Sequence, residues 1–162
     1  MTRAPIGLSA TAMPASTIAC PNSGRRNRVP VVARGVPRCA VCHHDLPWIV
    51  DADGETFDGA VAATVPVLVD FWADWCGPCR MVSPVVERMG RDYAGRLKVV
   101  KLDTEAAPRI AARFQVQSIP LLVLFEDGRE RDRLVGAHPD RQLRAWLDAR
   151  LPAHAGAGAA DG

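Results

Sequence analysis

The sequence predicts an α/β domain over residues 47–151, with helices on both faces of a central sheet, preceded by a small cysteine-bearing segment. Three observations support this prediction. Short apolar runs alternate with stretches whose apolar residues recur at helical spacing. Five cysteines stand as a singleton and two C-x-x-C pairs, an arrangement that favours metal or redox chemistry over a structural disulfide framework. With 162 residues, 48% hydrophobic and 23% charged, the composition is that of one globular domain with attachments.

The two ends of the chain are predicted to be disordered. Residues 1–17 carry one arginine and only a weak apolar stretch, which makes a poor secretory signal and favours a cytoplasmic protein. Met13 is an alternative translation start. Residues 152–162 are rich in alanine and glycine and are predicted to form a tail. The apolar runs of the chain end in charged residues well short of the ~18 residues that a spanning helix needs, so no membrane association is expected.

Residues 18–46 form a distinct segment with three cysteines and five arginines in 29 positions. The segment is too short and too poor in large apolar residues to fold by hydrophobic burial alone, so another interaction must hold it together. Residues 1–44 carry six arginines and no acid, and these arginines could contact phosphates. No aromatic residue lies between residues 1 and 47 to stack on bases, however, so nucleic-acid binding is not expected.

Four strands are predicted after this segment. Residues 67–72 and 121–125 are dense in apolar side chains, as in strands buried on both faces. Residues 97–102 form a further strand. Residues 129–135, which follow a glycine-bearing turn, alternate in polarity like an edge strand.

Three helices complete the predicted domain. The helix after Cys76 has one apolar face and contains Pro84 as a kink; its apolar positions are Val82, Val85, Val86, Met89 and Tyr93. A second helix is predicted over residues 108–114. The last begins at Asp140, with Pro139 suited to its first turn.

Residues 75–79, Trp-Cys-Gly-Pro-Cys, lie where a buried strand ends and a helix begins. A sulfur at a helix N-terminus faces unpaired N–H groups and the positive end of the helix dipole, which favours the thiolate. Cys76 is therefore predicted to be the attacking thiol. Cys79 lies one helical turn further on and is predicted to resolve the mixed disulfide.

Asp70 interrupts the apolar strand before Cys76, where desolvation would raise the pKa of its carboxyl. Two interpretations remain open. Asp70 could shuttle the proton of Cys79, or it could be a buried acid that is merely paired with Lys101 on a neighbouring strand.

The domain resembles thioredoxin throughout residues 48–151. The resemblance lies in residues 70–81, Pro84, residues 101–103, residues 118–120, Asp127-Gly128 and residues 135–137. It implies a mixed central sheet, with Cys76 nucleophilic, Cys79 resolving and Asp70 the buried acid. It also implies a cis bond at Ile119-Pro120, beside which a client segment would bind. The implied client-contacting residues are Trp75, Gly77, Pro78, Ile119, Pro120 and Gly136. Leu121 departs from the threonine that many thioredoxins carry after this proline.

Residues 18–46 resemble the zinc ribbon that precedes thioredoxin in bacterial thioredoxin-2 proteins, where four cysteines hold zinc. Here Ser23 stands in place of the second cysteine. One hypothesis is that zinc is held by Cys20, Cys39 and Cys42, with His43 or His44 as the fourth ligand. The alternative is a degenerate ribbon with weak or no zinc binding.

The sequence thus predicts a monomeric thiol:disulfide oxidoreductase that reduces protein disulfides. The resemblance implies that an NADPH-dependent thioredoxin reductase recharges it. The chain has no glycine-rich dinucleotide fingerprint, so no bound flavin or NADPH is expected. Alternatives are an exported oxidant or isomerase on the same fold, and a non-catalytic adaptor that uses the metal ribbon for binding. Residues 39–43 also match the C-x-x-C-H haem-attachment motif, which has a high false-positive rate.

Overall fold

The computed structural model describes residues 14–152. Within these residues a two-stranded sheet is followed by a five-stranded sheet and four helices. In order, the elements are β1 (Ala15–Ala19), β2 (Arg26–Pro30), β3 (Trp48–Ala52), α1 (Phe57–Val61), β4 (Val67–Trp72), α2 (Gly77–Asp92), β5 (Lys98–Asp103), α3 (Pro108–Arg113), β6 (Leu121–Glu126), β7 (Arg129–Val135) and α4 (Asp140–Asp148).

The five-stranded sheet is mixed, with the order β3-β5-β4-β6-β7. Strand β5 lies parallel to both β3 and β4, whereas β6 pairs antiparallel with β4 and β7. Strand β4 is therefore central, and the chain leaves its carboxyl end just before Cys76. In this register Asp70 lies opposite Lys101 on one side and Leu122 on the other.

Side chains of β4 alternate between two cores, one on each face of the sheet. Val69 and Phe71 point to the face covered by α1 and α3. Leu68 points to the opposite face, where it joins Val86 of α2 and Leu143 of α4. Helices on both faces were predicted, and this arrangement confirms them.

The predicted strands and helices are all present, with ends that agree to within three residues. Strands β1, β2 and β3 and the short helix α1 were not predicted, because segments of five residues carry too little periodic pattern. The predicted extension over residues 1–17 is wrong at its end, since β1 begins at Ala15. The rest of that prediction, residues 1–13, lies outside the described residues, as do residues 153–162 of the predicted tail.

The N-terminal segment is built on the β1–β2 hairpin, and we refer to residues 14–46 as the ribbon. Its buried residues Val29, Val31 and Leu46 belong to the same core as Trp48 and Phe57 of the domain. The ribbon has too few apolar residues to form a core of its own. Its buried residues pack instead into the core of the five-stranded sheet.

Lys98, at the start of β5, ties the ribbon to the sheet. Its side chain is fully buried, and its Nζ donates hydrogen bonds to the carbonyls of Val31 at 2.6 Å and Ala60 at 2.7 Å. The ammonium lies 4.3 Å from the centre of the Trp48 ring, whose Nε1 donates to the carbonyl of Pro30 at 2.8 Å. Burial lowers the pKa of Lys98 to about 8. A buried cation is thus stabilised here by carbonyl dipoles and an aromatic face.

None of the helices within residues 14–152 combines the length and the apolar character that crossing a bilayer requires.

Candidate active site and cysteine cluster

Cys76 is the N-cap residue of α2, and its backbone is extended (φ −89°, ψ 103°). Its Sγ accepts a hydrogen bond from the backbone N–H of Cys79 at 3.1 Å. Pro78 occupies the first turn, where its missing N–H leaves no helical hydrogen bond unmade. The sulfur therefore lies at the positive end of a 16-residue helix, among N–H groups that favour a negative charge.

Cys76 and Cys79 form a disulfide with a Cα–Cα distance of 5.3 Å. Both residues are buried. The C-x-x-C spacing thus places the two predicted exchange cysteines within bonding distance, with Cys76 before the helix and Cys79 inside it.

Asp70 is buried beneath α2, on the sheet face that also carries Leu68. Neither carboxylate oxygen has a hydrogen-bond partner among the described residues. Burial raises the pKa of Asp70 to about 7; the charge of Lys101 opposes this rise and that of Glu87 adds to it. The predicted upward shift follows from desolvation, so the side chain can exchange a proton near neutral pH.

The predicted pairing of Lys101 with Asp70 is wrong as a direct contact. Nζ of Lys101 donates instead to Ser83 Oγ at 2.8 Å and to Glu87 Oε2 at 2.7 Å. Ser83 and Glu87 are one helical turn apart on α2, so the helix rather than the strand supplies the partners of the ammonium. Glu87 was missed by the sequence reasoning, although its spacing from Ser83 was a usable signal.

A cavity of about 170 Å³ lies beside the disulfide. Cys79, Ser83 and Lys101 line it together with Trp72. Nε1 of Trp72 is buried and also has no partner within residues 14–152. The cavity thus brings the resolving cysteine together with Ser83 and Lys101 beside the start of α2.

The Ile119-Pro120 peptide bond is cis, as the resemblance implied. The N–H of Gly136 donates to the carbonyl of Pro120 at 2.9 Å, so two of the implied client-contacting residues are joined. Gly136 has φ 101°, a conformation that favours glycine.

An open groove of about 510 Å³ lies next to this loop. Its walls include Ile119 and Trp75, and the side chain of Trp75 is largely exposed. Trp75 Nε1 donates to Glu105 Oε2 at 3.2 Å, which orients the ring. Glu105 was not identified from the sequence, since nothing in its local pattern marks a contact with a residue 30 positions away. The groove thus lies between Trp75, the residue before Cys76, and the cis-proline loop.

The ribbon brings three further cysteines together. The sulfurs of Cys20, Cys39 and Cys42 all lie within 4.8 Å of one another. Ser23 Oγ lies 3.4 Å from Cys39 Sγ. The serine therefore lies next to the cluster, at the position where the four-cysteine zinc pattern has its second cysteine. Hydrogen bonds from the N–H of Cys42 and from Ser23 lower the pKa of Cys39 to about 5.

Of the two candidate histidines, His44 contacts a cluster sulfur: its Nδ1 lies 3.7 Å from Cys42 Sγ. The group of three sulfurs, as found in the described part of the chain, includes no histidine nitrogen. His43 has φ 64° in the turn between Cys42 and His44. The arrangement therefore favours His44 over His43 as a neighbour of the cluster.

Comparisons with known proteins give the same family for the domain. The sequence model of the thioredoxin family matches residues 48–149. Thioredoxin 1 of Synechococcus elongatus is 48% identical over 89 residues, which are 55% of this chain and 83% of that protein. Thioredoxin of Staphylococcus aureus is 46% identical over 103 residues, 64% of this chain and 95% of that protein. A chloroplastic M-type thioredoxin of Triticum aestivum is 39% identical over 108 residues, 66% of this chain but only 62% of the wheat protein.

The family match covers more than half of the chain and contains the disulfide, the buried acid and the cis-proline loop. It begins after the ribbon. The chain belongs to the thioredoxin family and is a thiol:disulfide oxidoreductase.

Proposed function

We propose that the chain reduces disulfide bonds of client proteins at Cys76 and Cys79, and that a thioredoxin reductase returns the resulting disulfide to the dithiol. The family in general works with such a reductase and with disulfide clients. The observation that carries the proposal is the position of Cys76 Sγ at the N-terminus of α2, 3.1 Å from the N–H of Cys79. This geometry favours the thiolate, the form that attacks disulfides.

The exchange proceeds in two steps. The Cys76 thiolate attacks one client sulfur, the client S–S bond breaks, and the other client sulfur leaves as a thiolate. The Cys79 sulfur then attacks Cys76 and releases the second client thiolate. Two electrons pass to the client, and the Cys76–Cys79 disulfide seen in the structure is the product.

Asp70 takes up the proton that Cys79 must lose before it attacks. Its carboxyl lies under α2, and its pKa of about 7 lets it accept a proton at neutral pH. Lys101 contributes at a distance, since its ammonium is held by Ser83 and Glu87. The buried acid is therefore a proton carrier rather than one half of an ion pair.

The client segment binds along the groove between Trp75 and Ile119. The backbone of Ile119, next to the cis proline, faces an extended segment, and Gly77 and Pro78 provide the surface beside the sulfur. Gly136 holds the proline loop in place through the carbonyl of Pro120.

Cysteine variants test the proposed reduction. In an insulin-disulfide assay with NADPH and thioredoxin reductase, we expect the natural chain to reduce insulin and Cys76→Ser to show no activity above background. Cys79→Ser should stop after the first step and accumulate a mixed disulfide with insulin, visible by mass spectrometry. Activity that survives in Cys76→Ser would contradict the assignment of the nucleophile. An oxidant or an adaptor would give no insulin reduction in the natural chain.

Asp70→Asn tests the proton carrier. Because the pKa is raised from 3.8 to about 7, the stability that protonated Asp70 provides is present below pH ~4 and lost as the pH rises through 7. The Asn variant cannot ionise, so its stability lacks this pH dependence. In urea unfolding of the oxidised chain, the free energy of unfolding of Asp70→Asn relative to that of the natural chain should rise by on the order of 4 kcal/mol between pH 4 and pH 8.

The same Asp70→Asn variant should reduce insulin at least about tenfold more slowly at pH 7. Asp58→Asn is the matched control, because the Asp58 side chain is 76% exposed and lies on α1. Parallel pH profiles for Asp70→Asn and the natural chain, in stability and in rate, would show that Asp70 does not carry the proton.

We also propose that the ribbon binds zinc through Cys20, Cys39 and Cys42. Tetrahedral coordination with Zn–S distances of 2.3 Å places sulfurs about 3.8 Å apart, and Cys20 Sγ lies 3.6 Å from Cys42 Sγ. His44 is the neighbour best placed to supply a fourth ligand. The metal would add to the shared core and to the Lys98 hydrogen bonds in holding the ribbon in its folded shape.

Metal analysis tests the zinc site. Protein purified without chelator should contain about one zinc per chain, and His44→Ala should reduce this content or weaken retention against a chelator several-fold. His138→Ala is the matched control, because His138 lies outside the ribbon and bonds to the carbonyl of Val135. Less than about 0.2 zinc per chain in the natural protein would exclude a tight structural site.

A further inference from the structure

The ribbon contains a close pair of cysteine sulfurs that the active-site reaction does not use. Cys20 Sγ and Cys42 Sγ lie 3.6 Å apart, although 22 residues separate them in the sequence. We propose that Cys20 and Cys42 are a second redox centre, which a low-molecular-weight disulfide such as glutathione disulfide converts to a disulfide in the metal-free chain, leaving Cys39 as a thiol.

The contacts of Cys39 explain why it is the cysteine left over. Its sulfur is surrounded by polar groups: Ser23 Oγ at 3.4 Å, the backbone N–H of Val41 at 3.4 Å and Asn27 Nδ2 at 3.6 Å. Cys42 instead directs its sulfur towards Cys20, whose position is fixed by N–H groups that follow it in the chain. The cluster thus contains one close sulfur pair, Cys20 and Cys42, and a third sulfur, that of Cys39, whose contacts are with oxygen and nitrogen groups.

A disulfide between Cys39 and Cys42 is the competing pairing. These two residues form a C-x-x-C motif like that of Cys76 and Cys79. The motif in the active site begins a helix of 16 residues, whereas Cys39 and Cys42 flank a short turn closed by the hydrogen bond from His43 N–H to the Cys39 carbonyl at 2.9 Å. The sulfur–sulfur contact that the cluster shows, at 3.6 Å, joins Cys20 and Cys42.

Ser23 limits the reaction to one disulfide. A fourth cysteine at this position would give Cys39 a partner, and two disulfides could then form. The serine hydroxyl beside Cys39 cannot be oxidised in this way. The ribbon can therefore form one internal disulfide and no more.

The reaction starts at Cys42, which is partly exposed, whereas Cys20 and Cys39 are buried. The Cys42 thiolate attacks one sulfur of glutathione disulfide, the S–S bond breaks, and one glutathione leaves as a thiolate. The Cys20 thiolate then attacks the Cys42 sulfur and releases the second glutathione. Two electrons pass to glutathione, and the protons of the two cysteines pass to solvent or to the glutathione thiolates.

The sulfurs need to approach by about 1.5 Å to reach the disulfide bond length. Bound zinc would occupy both sulfurs, so the metal-free chain is the form that reacts. The proposal does not depend on the direction in which the active site transfers electrons.

Thiol labelling of the full-length chain tests this pair. The Cys76→Ser/Cys79→Ser variant, freed of metal with EDTA, is incubated with glutathione disulfide, denatured and labelled with N-ethylmaleimide. We expect the intact mass to show one label per chain, against three in the untreated sample. Proteolytic fragments should show Cys20 linked to Cys42, with the label on Cys39.

Single substitutions in the same background provide matched comparisons. Cys39→Ser should still form the disulfide, so its labels should fall from two to none, whereas Cys42→Ser and Cys20→Ser should form no internal disulfide. If one of these variants fails to fold, the disulfide is still assigned from the proteolytic fragments of Cys76→Ser/Cys79→Ser, whose ribbon is unaltered. A Cys39–Cys42 link there would overturn the proposal. So would three labels retained at a glutathione disulfide concentration that fully oxidises Cys76 and Cys79 in the natural chain.

Discussion

The contact between Cys76 Sγ and the start of α2 is the interaction on which the chemistry of this protein depends. It exists because β4 is a central strand, buried on both faces, whose carboxyl end fixes where the next helix begins. The hydrogen bond from the N–H of Cys79 and the direction of the helix then favour negative charge on the sulfur. Packing of the sheet and reactivity of the thiol are thus two consequences of the same arrangement.

Two buried ionisable side chains on adjacent strands serve different purposes. Asp70 faces α2, lacks hydrogen-bond partners in the region that the structure covers and has a raised pKa, a combination that suits proton transfer. Lys98 points to the opposite face, where it bonds to two carbonyls and lies over Trp48. The first side chain has no hydrogen-bond partner among the described residues and lies under α2, while the second is hydrogen-bonded and anchors the ribbon. Burial disfavours the charged form of both side chains, but the groups around each one determine its role.

The sequence was informative where many residues carry one pattern. The apolar density of β4 and β6 and the apolar face of α2 predicted these elements, and the thioredoxin resemblance located the disulfide and the cis bond at Pro120. The prediction failed where the outcome depends on a single long side chain: Lys101 contacts Glu87 on α2 rather than Asp70. The resemblance also implied that Cys20, Cys39 and Cys42 meet, and their sulfurs lie within 4.8 Å of one another.

The acidity of the Cys76 thiol tests the account most directly. The reduced chain is alkylated with iodoacetamide at a series of pH values, and the rate at Cys76 is read by mass spectrometry of its fragment. The account predicts a midpoint at least about one pH unit below the value of about 8.5 for a free cysteine, with Cys79 reacting more slowly. A midpoint at Cys76 equal to that of free cysteine would contradict it.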